Sequence, residues 1–145
     1  MSDVSDLDRT RYPHWATVPT RWSDNDQFGH VNNAVHYFVM DTVINDWLRQ
    51  HDFDVARGDG TINLIPETGC RYLAEISYPD PFVVGLGIGR LGRTSVTWAV
   101  ELRRGSDREV VALGHFVHVF VDRESRRPVE VPGTLRSAME ALASS

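Results

Sequence analysis

The residues with the clearest capacity for chemistry lie together in one run, Asp24-Asn25-Asp26-Gln27-Phe28-Gly29-His30-Val31-Asn32-Asn33. Two carboxylates, an imidazole and several amides here precede an apolar stretch with helical spacing. A carboxylate close to a helix N-terminus is held in its ionised form by the macrodipole. It can then take a proton from water or attack a carbonyl carbon itself. Backbone N–H groups at the helix start can meet negative charge developing on a carbonyl oxygen. Asp26 is the candidate base or nucleophile. On residue types alone the plainer role is the stronger one, with Asp24 and Asp26 satisfying backbone groups of a turn. Gly29 divides in the same way, between an ordinary turn and a backbone that comes close to a ligand.

Other chemistry-bearing residues are weaker candidates. His30 and His36 are six apart across a turn, which is not the spacing of paired metal ligands on one helix face. His115 and His118 are three apart on a strand and therefore point to opposite faces. No metal site is expected from them; His30 can hold a carboxylate or touch substrate. Arg90 and Arg93 flank the Gly92 turn, with Arg103, Arg104 and Arg108 further on. Arginine forks match phosphate oxygens, although a solvated surface is the plainer reading for each. Trp47, Tyr72 and Trp98 are expected in the core.

The elements that must position these residues follow from periodicity. Trp15 to Trp22 alternates as a strand, with Pro19 marking an edge or a bulge. A helix begins at Asn32 or Asn33 and ends near His51; its first two turns are apolar nearly all round, predicting burial. A polar loop with Gly58, Asp59 and Gly60 follows. Cys70 to Tyr78, with Thr61 to Thr68 as a possible extension, Phe82 to Leu91, Thr94 to Leu102 and Val110 to Val121 read as four strands. Glycines at 85, 87 and 89 fall on one face of the second, leaving room for another backbone or a ligand. A short helix over Leu135 to Leu142 ends the chain. Short connections predict an antiparallel meander, and one helix on one curved sheet is an α+β arrangement.

Composition bounds the function. The 145 residues fit a single domain over 1–145, with residues 1–10 expected to be flexible. A net charge of −5 argues against a nucleic-acid partner. One cysteine excludes an intrachain disulfide. No signal peptide or membrane-spanning run is evident, so a cytoplasmic protein without membrane contact is expected.

The run from Asp24 to Asn33, followed by its apolar helix, resembles the hotdog-fold thioesterases of the 4-hydroxybenzoyl-CoA thioesterase superfamily. The similarity extends to Asp41-Thr42, to Leu91-Gly92-Arg93 and to Gly114 to Asp122, and covers about Trp15 to Pro132. It implies a hotdog fold, in which a curved five-stranded antiparallel sheet wraps a central helix. It also implies an acyl-CoA thioesterase that needs no cofactor and works as a homodimer or homotetramer, with acyl-CoA bound at the subunit interface. Carried over by position, Asp26 is the catalytic carboxylate. Gly29, His30 and Val31 form the turn that meets the carbonyl, and Asn33 faces the pocket. Arg90, Arg93 and Ser95 are candidates for CoA contact. His36 departs from the family's usual tyrosine. A hotdog hydratase or dehydratase would carry a different Asp/His segment, which is absent here; a non-catalytic acyl-thioester binder would differ only in releasing no thiol.

Overall fold

A computed structural model describes residues 11–54 and 60–143. The elements are β1 (His14–Val18), a 3₁₀ turn (Trp22–Asp24), α1 (Asn33–Gln50), β2 (Thr61–Tyr72), β3 (Phe82–Leu91), β4 (Ser95–Arg104), β5 (Val110–Asp122) and α2 (Gly133–Ala143). The expected flexible N-terminal residues and the loop glycine and aspartate at 58 and 59 lie outside the described residues.

Helix α1 starts where the sequence offers a cap: Asn32 Oδ1 accepts the Ala34 N–H at 2.9 Å. Its inner stripe, Val39, Met40, Val43, Ile44, Trp47 and Leu48, is buried in the main core against Trp98, Val100, Phe116 and Phe120 of the sheet. Each large apolar side chain removed from water in this way contributes roughly 1.5–3 kcal/mol. Burial of the first two turns is only partial, contrary to expectation. Phe38 is 74% exposed, because the sheet of one chain covers only one side of the helix.

The sheet order is β1-β3-β4-β5-β2, all antiparallel. Only β3, β4 and β5 form a meander. The expected four-strand meander fails at β2, which pairs with β5 from Thr61↔Asp122 to Tyr72↔Ala112 and makes the far edge. The strand is therefore Thr61–Tyr72, interrupted between Leu64 and Glu67, where Pro66 has no N–H to give. Beyond it the chain leaves the sheet: the N–H groups of Leu73 and Ala74 both turn to Val111 O. This departure carries residues 73–78 to the loop before α1. The first strand is also shorter than expected, ending at Val18 before Pro19, and Trp22 joins a 3₁₀ turn instead. The edge position anticipated from Pro19 is observed.

The glycines of β3 admit backbone, one of the two expected alternatives. A Cβ on Gly87 would lie 2.4 Å from the Arg11 carbonyl oxygen, and one on Gly85 would lie 2.7 Å from the Trp15 ring. The segment before β1 thus crosses the sheet face opposite α1. At the other end, α2 buries Leu135, Met139 and Leu142, and the Arg136 guanidinium donates to the carbonyls of Gly92 and Arg93 at 2.7 and 2.9 Å.

Candidate active site

The loop between the 3₁₀ turn and α1 is a small self-bonded unit. Asn25 and Val31 form an isolated antiparallel bridge. Within it the Asp26 N–H donates to His30 O at 2.7 Å, and the Gly29 N–H donates to Asp26 O at 3.1 Å. Gly29 has φ +82, a backbone conformation L side chains rarely adopt, and a Cβ there would meet nothing within 4 Å. Glycine is required by the turn, not by crowding.

The two aspartates have separated roles. Asp24 is buried and accepts both Nε and Nη2 of Arg21 at 3.0 and 2.7 Å, besides the Arg21 N–H at 2.8 Å. Burial works against its ionisation, but the Arg21 bonds outweigh it and its pKa falls below the ordinary carboxylate value. It is a structural ion pair. Asp26 is half-buried, and its Oδ1 accepts the N–H groups of Phe28 at 2.9 Å and His30 at 3.3 Å. The turn role is therefore real, but it occupies one oxygen. Among the described residues nothing bonds Oδ2.

Segment 73–78 closes the other wall. The Val31 N–H donates to Ile76 O at 2.8 Å, Ser77 Oγ donates to Gly29 O at 2.8 Å, and the Tyr78 N–H reaches Asn25 Oδ1 at 3.1 Å. The Tyr72 hydroxyl donates to Asn33 O at 3.0 Å. Between these walls lies a cavity of about 350 Å³ to which Asp26, His30, Val31 and Asn33 all contribute. Asp26 also borders a more open groove with Trp22, Gln27 and Gly29. A substrate could thus cross Asp26 from one recess to the other.

Several polar groups around the cavity are already committed. His30 Nε2 lies 2.9 Å from Glu75 Oε2. Burial, followed by the nearby Cys70, pushes the Tyr72 phenol up to about 12, so it remains a donor. The N–H groups of Gly29, His30 and Val31 are already bonded to Asp26 O, Asp26 Oδ1 and Ile76 O. The turn thus consumes the N–H groups of the three residues that the resemblance sets against the carbonyl, and leaves the donor role to the helix start. Among the described residues the N–H of Asn33, the first residue of α1, has no acceptor.

The structure brings Gly29, His30, Val31 and Asn33, four of the seven other sequence-derived site residues, around Asp26. Arg90, Arg93 and Ser95 sit instead at the distal end of the β3–β4 hairpin. Phe82, at the near end of β3, packs against His36, and Arg90 is roughly 25 Å along the strand from it. Arg93 pairs with Glu130 at 3.5 Å. Sequence reasoning missed Glu75 and placed Tyr72 in the core, whereas Tyr72 is 38% exposed and lines the cavity. Spacing held no signal for either, because segment 73–78 reaches the site only by leaving the sheet. His115 and His118 do face opposite ways. His115 Nε2 meets Glu67 at 2.8 Å, and His118 is fully buried beneath Trp98.

The model of the thioesterase-like superfamily matches residues 20–139 of this chain. Among solved structures, the PA5185 protein from Pseudomonas aeruginosa strain PAO1 is 42% identical, with a TM-score of 0.88 over 94% of this chain and 96% of that one. Slr0204, a 1,4-dihydroxy-2-naphthoyl-CoA thioesterase from Synechocystis, is 14% identical, with a TM-score of 0.81 over 88% and 96%. The BH1999 gentisyl-coenzyme A thioesterase is 20% identical, with a TM-score of 0.76 over 87% and 99%. The last two are likenesses of fold alone, and the fold they share with this chain is the hotdog arrangement of a curved five-stranded sheet around one long helix. By the extent of the family match, this chain is a hotdog-fold member of the thioesterase-like superfamily.

Proposed function

We propose that the protein hydrolyses an acyl-CoA thioester to free acid and CoA, with Asp26 as the reacting carboxylate. The observation that carries this reading is the division of Asp26. Oδ1 is fixed by the turn, while among the described residues Oδ2 has no partner, and Asp26 lines the same cavity as Asn33, whose N–H has no acceptor among them either. Two structural relatives, the 1,4-dihydroxy-2-naphthoyl-CoA thioesterase and the gentisyl-coenzyme A thioesterase, support the substrate class.

Two routes give the same products. As general base, Asp26 takes a proton from water, the resulting hydroxide adds to the carbonyl carbon, and the carbon–sulfur bond breaks. The thiolate leaves and recovers the proton. As nucleophile, Asp26 attacks the carbonyl, the thiolate leaves, and water then hydrolyses the mixed anhydride. In both routes negative charge appears on the carbonyl oxygen, and in this reading the Asn33 N–H at the positive end of α1 receives it.

The working unit in this proposal is a homodimer or homotetramer. Leu64 and Ile65 on the β2 edge and Leu73 just beyond it are 40%, 47% and 51% exposed. An unpaired, apolar edge strand of this kind favours pairing with a second copy. Arg90, Arg93 and Ser95, remote from Asp26 within one chain, would contact CoA across such an interface. A thiol-release screen over short, medium, long and aromatic acyl-CoAs tests the function. Release of thiol with an equal amount of free acid is expected; tight binding without release would make the protein a binder instead.

A further inference from the structure

We infer that His30, oriented by Glu75, is the base that activates water, and that Asp26 is the nucleophile whose acyl anhydride this water breaks. This rests on the thioesterase reading of the cavity and selects one of its two routes. His30 and Glu75 line the cavity together with Asp26. His30 Nε2 lies 2.9 Å from Glu75 Oε2. An ionised carboxylate only accepts, so Nε2 carries the proton of the neutral ring and the lone pair falls on Nδ1. Nδ1 has no partner among the described residues. As the nitrogen bonded to Cγ, it is the one nearer the backbone, and the backbone N–H of His30 is bonded to Asp26 Oδ1 at 3.3 Å.

Other groups on the cavity do not offer this. The Tyr72 hydroxyl is given to Asn33 O, and His36 is 2% exposed, out of reach of solvent. The His30 side chain is 40% exposed, so water reaches it. Glu75 is fixed at its backbone: Arg104 Nη1 donates to its carbonyl, and the next carbonyl, Ile76 O, accepts the Val31 N–H at 2.8 Å. An acylated Asp26 is consumed, so the anhydride needs a second group as base.

In the first step Asp26 Oδ2 attacks the thioester carbonyl carbon, and the carbon–sulfur bond breaks to release the CoA thiolate. Nδ1 then takes a proton from water, and the hydroxide adds to the acyl carbon. The bond from that carbon to the Asp26 oxygen breaks, and its electron pair returns to the carboxylate. The imidazolium gives its proton to the thiolate, leaving free acid, thiol and the starting enzyme.

The test is transient and steady-state thiol release by the full chain, with an acyl-CoA that wild type turns over, in His30→Phe and Glu75→Gln. Loss of the base stalls only the second step. In His30→Phe kcat should fall by about 10²–10⁴-fold with KM falling in parallel, so that kcat/KM stays within about threefold of wild type. A burst of one thiol per site should precede the slow rate, and intact mass should show the acyl group on the protein. Hydroxylamine, which needs no base, should restore turnover and yield the hydroxamate. Glu75→Gln, acting through His30, should show the same pattern more weakly, and it decides the matter if His30→Phe fails to fold. A fall of kcat/KM in step with kcat, without burst or rescue, overturns the inference, as do unchanged constants in both variants; an active wild type then remains a thioesterase. Should wild type release no thiol from any substrate, the thioesterase reading itself fails and takes this inference with it.

Discussion

Asp26 and His30 are joined twice across one turn: the Asp26 N–H donates to His30 O at 2.7 Å, and Asp26 Oδ1 accepts the His30 N–H at 3.3 Å. The double link, with the Phe28 N–H on the same oxygen, fixes the carboxylate without consuming it. A flexible aspartate would lose orientation at every encounter with substrate; this one keeps a single direction for Oδ2.

The turn role and the chemical role can be separated by comparing two variants. Asp26→Asn keeps an oxygen that can accept both N–H groups, so its thermal midpoint should stay near that of wild type. Asp26→Ala removes the acceptor and should destabilise by about 0.5–2 kcal/mol, measured by urea unfolding.

Gly29→Ala tests whether the turn depends on the left-handed conformation. With φ +82 and open space around it, the penalty is backbone strain alone, about 1–2 kcal/mol. Urea unfolding should show that loss, and a value near zero would mean the turn relaxes readily.

Gly87→Ala should be at least as costly, for a different reason. The added Cβ would lie 2.4 Å from the Arg11 carbonyl oxygen, so the crossing segment must shift. Overpacking of this kind costs about 1–3 kcal/mol. Hydrogen exchange should show faster opening of β1, where that segment leads.

Stability should fall as pH drops from 6.5 towards 4. Burial pushes the His118 pKa down from 6.5 to about 4, while Nδ1 faces the donors Asn63 Nδ2 and Trp98 Nε1. The unfolded chain therefore binds a proton that the native state refuses. The stability is fully present above pH 6.5 and is lost through that window, by about 3 kcal/mol from this residue. His14 and His36, also lowered chiefly by burial, add with the same sign. Urea titrations at stepped pH measure the slope; a flat profile between pH 6.5 and 4 would contradict it.

The proposed assembly predicts that Ile65→Asp on the β2 edge shifts the protein towards monomer in light scattering. Activity should fall with it, because the site would lose its second subunit. A variant as large as wild type would place the interface elsewhere.

Local pattern made much of this legible in the sequence. The helix cap at Asn32, the alternation of Phe82 to Leu91 and Ser95 to Arg104, and the acidic turn with Gly29 all follow from short-range rules. What escaped was long-range. Pairing of β2 with β5 is decided by which strands can match over their whole length, and no local alternation encodes that choice. Tyr72 looks like one more alternating aromatic, yet the chain leaves the sheet at the next residue and takes it to the cavity. The loss of the Gly29, His30 and Val31 N–H groups to turn bonds was hidden for the same reason: one acceptor, Ile76 O, comes from a segment distant in sequence.

The central claim, that Asp26 carries the chemistry, is tested most directly by thiol release from an acyl-CoA turned over by wild type, measured for Asp26→Asn. With folding intact, kcat/KM should fall by about 10²–10⁴-fold, since the amide can neither take a proton from water nor attack the carbonyl. A folded Asp26→Asn protein that hydrolyses the same thioester within about threefold of wild type would contradict the account.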